Sequence, residues 1–377
     1  MDFSRSNEQK MLADTVRSFG EKTSPLTRMR RLRDDALGFE PTVWAQMAEL
    51  GWLAIPFPES AGGLGGSFED AALIAEELAR TLVPEPYVSS GVLGGYALLW
   101  AGTEADQSRW LAPMIEGKTT LALAFDEAGM RADVARTQTR AVGSGAEAKL
   151  TGEKVWVLGG HAADQLIVSA VNDAGLGLYV VDGKGAGVER RTARTIDGRH
   201  AAMISLNGAA GHALAAADGG RTLKRLLELG AAMACVEGAS IAARMLEMTV
   251  EYLRTREQFG VKIGSFQALQ HRAVDMFVEV ELCKSAALFA TAAAQSTDDE
   301  QRASIISAAK AQLAAGGRFV AEQAIQLHGG IGVTDEHDIG LFYKRMVALN
   351  LLFGDREHHL TRYAAQPSFS QGAGPLA

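Results

Sequence analysis

The run Ala231-Ala-Met-Ala-Cys-Val-Glu-Gly-Ala-Ser-Ile-Ala-Ala243 decides the fold class of the C-terminal part of the chain. A helix built from this run is apolar on almost every face, which predicts that it is buried among other helices. Its small side chains allow those helices to pack closely. The stretches 221–258, 265–296 and 301–328 lack proline and carry apolar residues every three or four positions. The sequence therefore predicts a helical bundle over residues 220–377.

Residues 117–219 have a different pattern, in which short β-type runs alternate with glycine-rich turns. The turns fall at 143–145, 159–160 and 183–187, and the runs at 121–125, 155–157, 166–169 and 178–181. No helical pattern separates the runs, which favours an antiparallel sandwich or barrel over β-α-β units. We interpret Thr151-Gly-Glu-Lys154 as a hairpin turn. This segment is predicted to be a central antiparallel β domain.

The first 116 residues contain most of the prolines and read as short helices separated by turns. Ser6-Asn-Glu-Gln9 is a capping box for a first helix, which we expect to end before Gly20. A second helix is predicted to end near Gly51 and a third to start at Ser67. The fold class is therefore α+β: an N-terminal helical domain (1–116), a β domain (117–219) and a C-terminal helical bundle (220–377).

Composition excludes several classes of protein. The 377 residues are 47% apolar and 22% charged, which is typical of globular proteins. The net charge of −8 argues against nucleic acid or an anionic membrane as the main partner. Two cysteines make no disulfide framework, and no signal peptide or membrane span is apparent. We expect a cytoplasmic protein in which only the tail after about 366 is loose.

Two glycine clusters resemble nucleotide-binding loops only superficially. Gly329-Gly-Ile-Gly332 follows a helix, whereas a Rossmann fingerprint follows a strand and opens a helix. Ala61-Gly-Gly-Leu-Gly-Gly66 precedes a helix, but Pro56 and Pro58 break any strand before it. We interpret the second cluster as a turn leading to an N-cap at Ser67.

Three spaced motifs carry more specific chemistry: Thr255-Arg-Glu-Gln-Phe-Gly260, Ile263-Gly-Ser-Phe-Gln267 and Gln326-Leu-His-Gly-Gly330. An arginine at the end of a long helix often does no more than complement the helix dipole. Arginine is also the side chain suited to bidentate phosphate contact. Glycines beyond a helix end let backbone amides approach a ligand. The set is therefore a candidate site for a phosphate-bearing ligand.

These motifs, with Pro58-Glu-Ser-Ala-Gly-Gly63, Leu150–Val157 and the helix–β–helix order, resemble the acyl-CoA dehydrogenase flavoproteins from Met1 to about Tyr363. The chain is most similar to the small subunits of heteromeric, pimeloyl-CoA-dehydrogenase-type enzymes. It shares with them the segment around Thr249–Leu253 and the ending Leu352-Phe-Gly-Asp355. The resemblance implies an acyl-CoA dehydrogenase fold with FAD as cofactor and an acyl-CoA as substrate.

The resemblance also implies which residues meet the FAD. Arg256 would contact the pyrophosphate in a neighbouring subunit and Phe259 would pack near the adenosine. Trp156 would shield the isoalloxazine ring. The further residues implied in cofactor binding are Gln267, Gln326, Gly329, Gly330, Glu127 and Gly129, of which the last two belong to the loop that crosses flavin and thioester.

Several positions depart from the family pattern. Leu158 stands where the family has a threonine beside the flavin, and Ala132 replaces a serine of the loop 127–133. The reaction needs a carboxylate base to remove the α-proton of the acyl-CoA. The two positions at which relatives carry a glutamate base are Phe353 and Gly230 here. The catalytic base is therefore unknown from the sequence.

Three nearby carboxylates are candidate substitutes. Asp355 lies two residues from one expected position, and Glu237 lies seven residues after Gly230 on the same helical face. Glu228 is two residues from Gly230 and is expected to face away. Arg244 is too far along the helix to pair directly with Glu237. His358 and His359 with Asp355 do not have the ligand spacing of a metal site, and no metal is expected.

Three functions remain open at this point. The first is FAD-dependent α,β-desaturation of an acyl-CoA thioester by a subunit that lacks the usual glutamate base. The alternative is a non-catalytic structural partner subunit of a heteromeric acyl-CoA dehydrogenase. The third is a flavin-free acyl-CoA binder. The expected assembly is a homo-oligomer (dimer or tetramer) or a heterotetramer with a paralogous subunit, without nucleic acid or membrane.

Overall fold

The computed structural model describes residues 4–143, 147–215 and 218–367. The predicted turn at 143–145 and the loose tail after 366 lie almost wholly outside the described residues. The chain forms two compact units. One comprises the chain up to Leu26, Ala72–Val83 and the chain from Ala231 onward; the other comprises Thr27–Ala71 and Pro84–Gly230. Helices give way to strands near residue 116 and strands to helices at 219, and the division into three domains stays a prediction.

The N-terminal part is helical. Its α-helices are α1 Asn7–Thr23, α2 Leu26–Leu32, α3 Pro41–Glu49, α4 Phe68–Ala79, α5 Gly95–Ala101, α6 Glu104–Asp106 and α7 Ala112–Ile115. Glu59–Ala61 is a 3-10 turn, and Tyr87–Gly94 and Gln107–Leu111 are π-helical. The predicted capping box is confirmed, with Ser6 and Gln9 bonded reciprocally. Ser67 accepts the N–H of Asp70 at 3.3 Å, as expected of an N-cap.

The predicted end of the first helix is wrong, because α1 continues three residues past Gly20. A Cβ at position 20 would lie 2.7 Å from the hydroxyl oxygen of Thr81. The glycine therefore serves the close packing of α1 against Thr81 and does not terminate the helix.

The described residues between 121 and 213 form a seven-stranded sheet. Its strands are β1 Leu121–Ala124, β2 Arg140–Val142, β3 Glu147–Leu158, β4 Gln165–Asn172, β5 Gly175–Asp182, β6 Val188–Arg194 and β7 His200–Ala213. The pairings β4–β2–β3–β7–β5–β4 close a ring, with β1 added to β4 and β6 to β7. Most pairs are antiparallel, as predicted, but β1 and β2 both run parallel to β4. Alanine, valine, leucine and isoleucine side chains fill the core of this sheet.

The predicted hairpin turn at Thr151–Lys154 is wrong, because these residues lie within β3 and pair with β7. A Cβ at Gly152 would lie 2.6 Å from the Thr139 side chain. Glycine is needed here because the segment that contains Thr139 approaches closely. Lys154 is consequently a strand residue whose side chain points into the protein.

The C-terminal part is a helical bundle, as predicted. Its helices are α8 Gly219–Thr255, α9 Gln267–Ala294, α10 Asp299–Gln312, α11 Arg318–His328, α12 Ile339–Leu351 and α13 Arg356–Ala364. Short strands β8 Glu257–Gln258 and β9 Val261–Lys262 follow α8; Leu313–Gly317 is π-helical, and Ile263–Ser265 and Gly329–Val333 are 3-10 turns. Among the described helices α8 alone is long and apolar enough to cross a membrane, but its apolar window is 100% buried inside the protein.

Candidate active site

We call the unit of Thr27–Ala71 and Pro84–Gly230 the sheet unit and the other the bundle unit. Trp156 has the most unusual backbone of the strand residues in the sheet unit. Its backbone is left-handed, with φ +52°, and its side chain is 51% exposed. A bulky residue in this conformation is strained, and such strain is typical of functional positions. Gly129 has φ +80°, and nothing lies within 4 Å of the position of a Cβ there. Trp156 and Gly129, two of the predicted flavin contacts, are therefore open to a ligand.

Glu127 lies in a network of hydrogen bonds within the chain. Its side chain is 8% exposed, and Oε1 accepts a hydrogen bond of 2.7 Å from the buried Lys154. Oε2 accepts the N–H of Gln138 at 2.7 Å. Both carboxylate oxygens are thus bonded within the chain. That Glu127 takes part in cofactor binding stays a prediction.

In the bundle unit, the segment after α8 presents Phe259 on the β8–β9 hairpin. Phe259 has φ +56° and is 90% exposed. It packs edge-to-face on Phe266 with 6.2 Å between ring centroids. Arg256, at the base of the hairpin, and Gln267, at the start of α9, are both exposed. This hairpin therefore offers an aromatic ring, a guanidinium and an amide to a ligand.

The glycine motif after α11 lies against the end of α8. His328 is buried and stacks on Tyr252 with 4.6 Å between ring centroids. The backbone N–H of Arg256 in turn donates to the Tyr252 carbonyl at 2.9 Å. Gln326, Gly329 and Gly330 are exposed, and nothing lies within 4 Å of a Cβ at either glycine. The two motifs, about seventy residues apart in sequence, are thus joined through His328 and Tyr252.

Phe353 occupies the expected base position on the loop between α12 and α13. It is 9% exposed and left-handed, with φ +59°. Two buried side chains hold this loop by its carbonyls. His359 donates from Nε2 to the Phe353 carbonyl at 3.0 Å, and Lys310 donates to the carbonyls of Asn350 and Gly354 at 3.2 and 3.1 Å. The structure therefore holds a phenyl ring at the position where the resemblance leads us to expect a carboxylate.

His359 is neutral in this environment. Burial, with neighbouring Lys310 and His358, lowers the pKa of His359 to about 3. Since Nε2–H donates to a carbonyl, Nδ1 is the unprotonated nitrogen, 3.4 Å from the Ser307 hydroxyl. Sequence reasoning provided only the expectation that histidines of a terminal helix pack or face solvent, and Lys310 carried no signal at all.

The substitute carboxylates have other partners. Asp355 is the exposed N-cap of α13 and accepts the N–H of His358 at 2.8 Å. Glu237 is buried and accepts from Arg345 at 2.6 Å, also buried. Arg345 lies in α12, so the partner of Glu237 comes from another helix. Neither carboxylate has the dry, unpaired setting that suits a base, which counts against both.

The remaining predicted positions are consistent with helix packing. Gly230 and Glu228 lie in α8 and are both buried. Arg244, which the sequence placed too far from Glu237 to pair with it, pairs with Glu247 at 3.1 Å. Among the described residues no group of three or more His, Cys, Asp or Glu is arranged to hold a metal ion.

Comparison with known proteins gives the family. Residues 6–118 match the acyl-CoA dehydrogenase N-terminal domain, and residues 217–366 match the acyl-CoA dehydrogenase C-terminal domain. Acyl-CoA dehydrogenase IpdE2 of Mycolicibacterium smegmatis is 30% identical over 366 residues, covering 96% of this chain and 99% of the relative. The chain belongs to the acyl-CoA dehydrogenase family, whose members are flavoprotein oxidoreductases that generally use FAD.

Two solved structures of assemblies are similar over almost the whole chain. The ChsE4-ChsE5 complex from Mycobacterium tuberculosis matches with TM-score 0.88 and 27% identity, covering 100% of both chains. A single-site variant of the Tcur3481-Tcur3483 steroid ACAD matches with TM-score 0.88 and 28% identity, covering 97% of this chain and 98% of the other. The resemblance seen in the sequence and the predicted fold are confirmed.

Each unit, taken by itself, exposes groups that chemically suit a part of an FAD molecule. The Arg256 guanidinium suits a pyrophosphate, and exposed Trp156 and Phe259 offer flat apolar faces to ring systems. Gly129, Gly329 and Gly330 leave space where a side chain would obstruct a ligand. Each unit therefore offers properties that binding a part of a dinucleotide requires.

Proposed function

We propose that this chain is an FAD-dependent acyl-CoA dehydrogenase subunit that lacks the usual glutamate base and works beside a paralogous partner. The observation that carries the proposal is Phe353, a buried phenyl ring on a loop held by Lys310 and His359. The pairing of Glu237 with Arg345 and the capping role of Asp355 support it further, because they give two substitute carboxylates other tasks.

The reaction removes an α-proton from an acyl-CoA thioester while a hydride leaves the β-carbon. The hydride acceptor is FAD in this family. The chain's own contribution is binding and orientation: we infer that Arg256 bonds the pyrophosphate in a neighbouring subunit and that Trp156 excludes water from the ring system. Proton removal requires a carboxylate that Phe353 and Gly230 do not supply, so we assign that step to the partner.

An exposed apolar face on α9 supports a partner chain. Six large apolar side chains on this helix are 44–60% exposed: Val274, Phe277, Val278, Leu282, Leu288 and Phe289. The same helix buries a second apolar set against the bundle, including Met276, Val280 and Cys283. A helix with two apolar faces requires cover on both, and large exposed patches are typical of protein interfaces. Its partner is a second copy of this chain or a paralogue.

The two-gene assemblies named above favour the paralogue. The ChsE4-ChsE5 complex and the Tcur3481-Tcur3483 enzyme each name two different polypeptides. Co-expression of this chain with a tagged paralogue from the same genome tests the idea. We expect a yellow complex whose flavin bleaches on anaerobic mixing with an acyl-CoA, whereas the chain alone reacts slowly. Rapid bleaching by the chain alone contradicts the missing base, and a colourless complex favours a purely structural subunit.

The flavin contact of Arg256 has a direct test with a matched control. Arg256→Ala removes a charged hydrogen-bond donor worth about 1.5–3 kcal/mol, so the Kd for FAD should rise about 10- to 100-fold. Arg254→Ala removes another exposed arginine, in the last turn of α8, and should leave the Kd unchanged. FAD titration followed by fluorescence quenching measures both, and equal Kd values for the two variants contradict the assignment.

A further inference from the structure

Lys154 is a completely buried lysine in the middle of β3. Its ammonium donates to Glu127 Oε1 at 2.7 Å, to the Ser169 hydroxyl at 2.9 Å and to the Phe125 carbonyl at 3.3 Å. An ammonium has three donors, and all three are used. Because its partners follow β1 or lie in β4, Lys154 joins three segments of the sheet unit.

Glu127 extends this hydrogen-bond network to the segment that follows it in the chain. Besides Lys154, its carboxylate accepts the N–H of Gln138 at 2.7 Å and both the N–H and the hydroxyl of Thr139, at 3.1 and 2.7 Å. One side chain thus bonds residues eleven and twelve positions further along the chain. The intervening segment, which we call loop 128–137, is closed at its base by this carboxylate.

Loop 128–137 needs such a restraint because its backbone is strained. Arg131 and Ala132 are consecutive non-glycine residues with φ +48° and +61°. Left-handed conformations of this kind persist only where surrounding contacts enforce them. Met130 and Val134 are buried and anchor the loop on the protein, whereas Gly129 and Arg131 face solvent.

Trp156 lies two residues after Lys154 and is also strained. Lys154 pairs with Ile204 and Val157 with Ala202, so two residues of β3 oppose one residue of β7 in a β-bulge. Val155, inside the bulge, donates its N–H to the Asp126 carbonyl at 2.9 Å. The bulge that turns Trp156 outward is thereby tied to the same residues, 125–127, that Lys154 bonds.

We propose that the Lys154–Glu127 ion pair is a positioning device that fixes both Trp156 and loop 128–137 in the orientation that a planar ring ligand requires. That the ligand is a flavin rests on the proposed function; the positioning itself does not. Lys154 and Glu127 touch no ligand in this arrangement. They act through the bulge and the loop that they hold in strained conformations.

The charges of the pair are maintained at neutral pH. Burial lowers the pKa of Lys154 to about 8 although Glu127 opposes the shift. Burial alone would raise the pKa of Glu127, but hydrogen bonds from Lys154, Gln138 and Thr139 outweigh it and keep that pKa below its usual value. Both groups are therefore ionised, and loss of either charge leaves the other buried without its partner.

Hydrogen exchange of the full-length protein tests the proposal without any cofactor. In Lys154→Met, amides of residues 128–137 should exchange about tenfold faster than in the wild type, because a charge-assisted bond is lost at the base of the loop. Trp156 emission, obtained by difference against the matching Trp156→Phe variant, should shift. Lys149→Met, an exposed lysine of the same strand, should change neither.

Ser169→Ala removes one of the three acceptors of Lys154 and keeps the ion pair, so it carries the test if Lys154→Met does not fold. It should accelerate the same amides by a smaller factor. Unchanged exchange and unchanged Trp156 emission in a folded variant with a lowered Tm would show a merely structural pair and overturn the proposal.

FAD titration separates this proposal from the proposed function. If the wild type binds FAD, Lys154→Met should weaken it and alter the visible flavin spectrum, whereas Lys149→Met should not. If the wild type binds no FAD, the proposed function fails, and hydrogen exchange still decides whether Lys154 positions loop 128–137.

Discussion

Two loops of this protein, one in each compact unit, are held by a fully buried lysine. Lys154 bonds Glu127 at the base of loop 128–137, next to the bulge that contains Trp156. Lys310 donates to the carbonyls of Asn350 and Gly354, on either side of Phe353. Both lysines are 0% exposed. Burial lowers the pKa of each to about 8. Each lysine thus stabilises a segment in which an aromatic residue has a left-handed backbone.

The two lysines differ in what compensates their charge. Lys154 faces the full negative charge of Glu127, whereas Lys310 donates to the neutral carbonyls of Asn350 and Gly354. An ion pair whose one member is removed leaves a buried charge, but carbonyls that lose a donor stay neutral. Removing one or the other of these two equally buried lysines should therefore lower the free energy of unfolding by very different amounts.

The largest expected effect is that of Lys154→Met. It leaves Glu127 charged and buried, so the free energy of unfolding should fall by about 3–5 kcal/mol. Lys149→Met on the same strand should change it little. The double variant Lys154→Met with Glu127→Gln should recover part of the loss, because the remaining amide is neutral. Urea unfolding measures all three, and a loss no larger than that of Lys310→Met would contradict the comparison.

Acid should weaken the Phe353 loop through His359. The unfolded chain protonates this histidine below about pH 6.5, whereas the folded protein does so only near pH 3. Stability therefore falls as the pH drops through this window, by about 2–3 kcal/mol between pH 7 and pH 4.5 from this residue alone.

His359→Gln keeps a donor for the Phe353 carbonyl but cannot be protonated. Its free energy of unfolding should decline less between pH 7 and pH 4.5 than that of the wild type. His271→Gln, at an exposed position of α9, should retain the wild-type slope. Parallel slopes for the wild type and His359→Gln would disprove the assignment of a neutral, buried His359.

The smallest effect is expected of Lys310→Met, at about 1–3 kcal/mol, because it removes two hydrogen bonds to neutral acceptors. Lys310 should contribute a rise in wild-type stability between pH 8 and pH 10.5, since the unfolded state binds the Lys310 proton more tightly. Lys310→Met should reduce this rise by about 1–2 kcal/mol measured from pH 8 to 9.5. Lys284→Met, exposed on α9, is the control and should preserve it.

The bundle could be predicted well because apolar periodicity marks long helices directly. Strands were harder to predict. β7 was missed because its residues include many alanines and glycines, which have no strong preference for strands. Gly152 suggested a turn, although its role is close approach to Thr139. A glycine has the same appearance in sequence whether it serves a turn or tight packing.

The candidate site could be predicted only in part, because several of its side chains bond to residues distant in sequence. The resemblance singled out Phe353, Trp156 and Arg256, and the structure shows Trp156 and Arg256 exposed and Phe353 buried. Sequence reasoning had no means to find that Glu237 pairs with Arg345, 108 residues away, or that Lys154 takes up the carboxylate of Glu127. Only tertiary packing decides which buried charges meet.

Flavin reduction by Phe353→Glu measured against the wild type tests the central claim most directly. The two FAD-loaded proteins, and Phe353→Gln as the matched uncharged control, are mixed anaerobically with a panel of acyl-CoAs. If Phe353 occupies the base position, Phe353→Glu should bleach the flavin about 10²- to 10⁴-fold faster than the wild type, and Phe353→Gln should not. Equally rapid bleaching by all three proteins would contradict the account, because another group would then remove the proton.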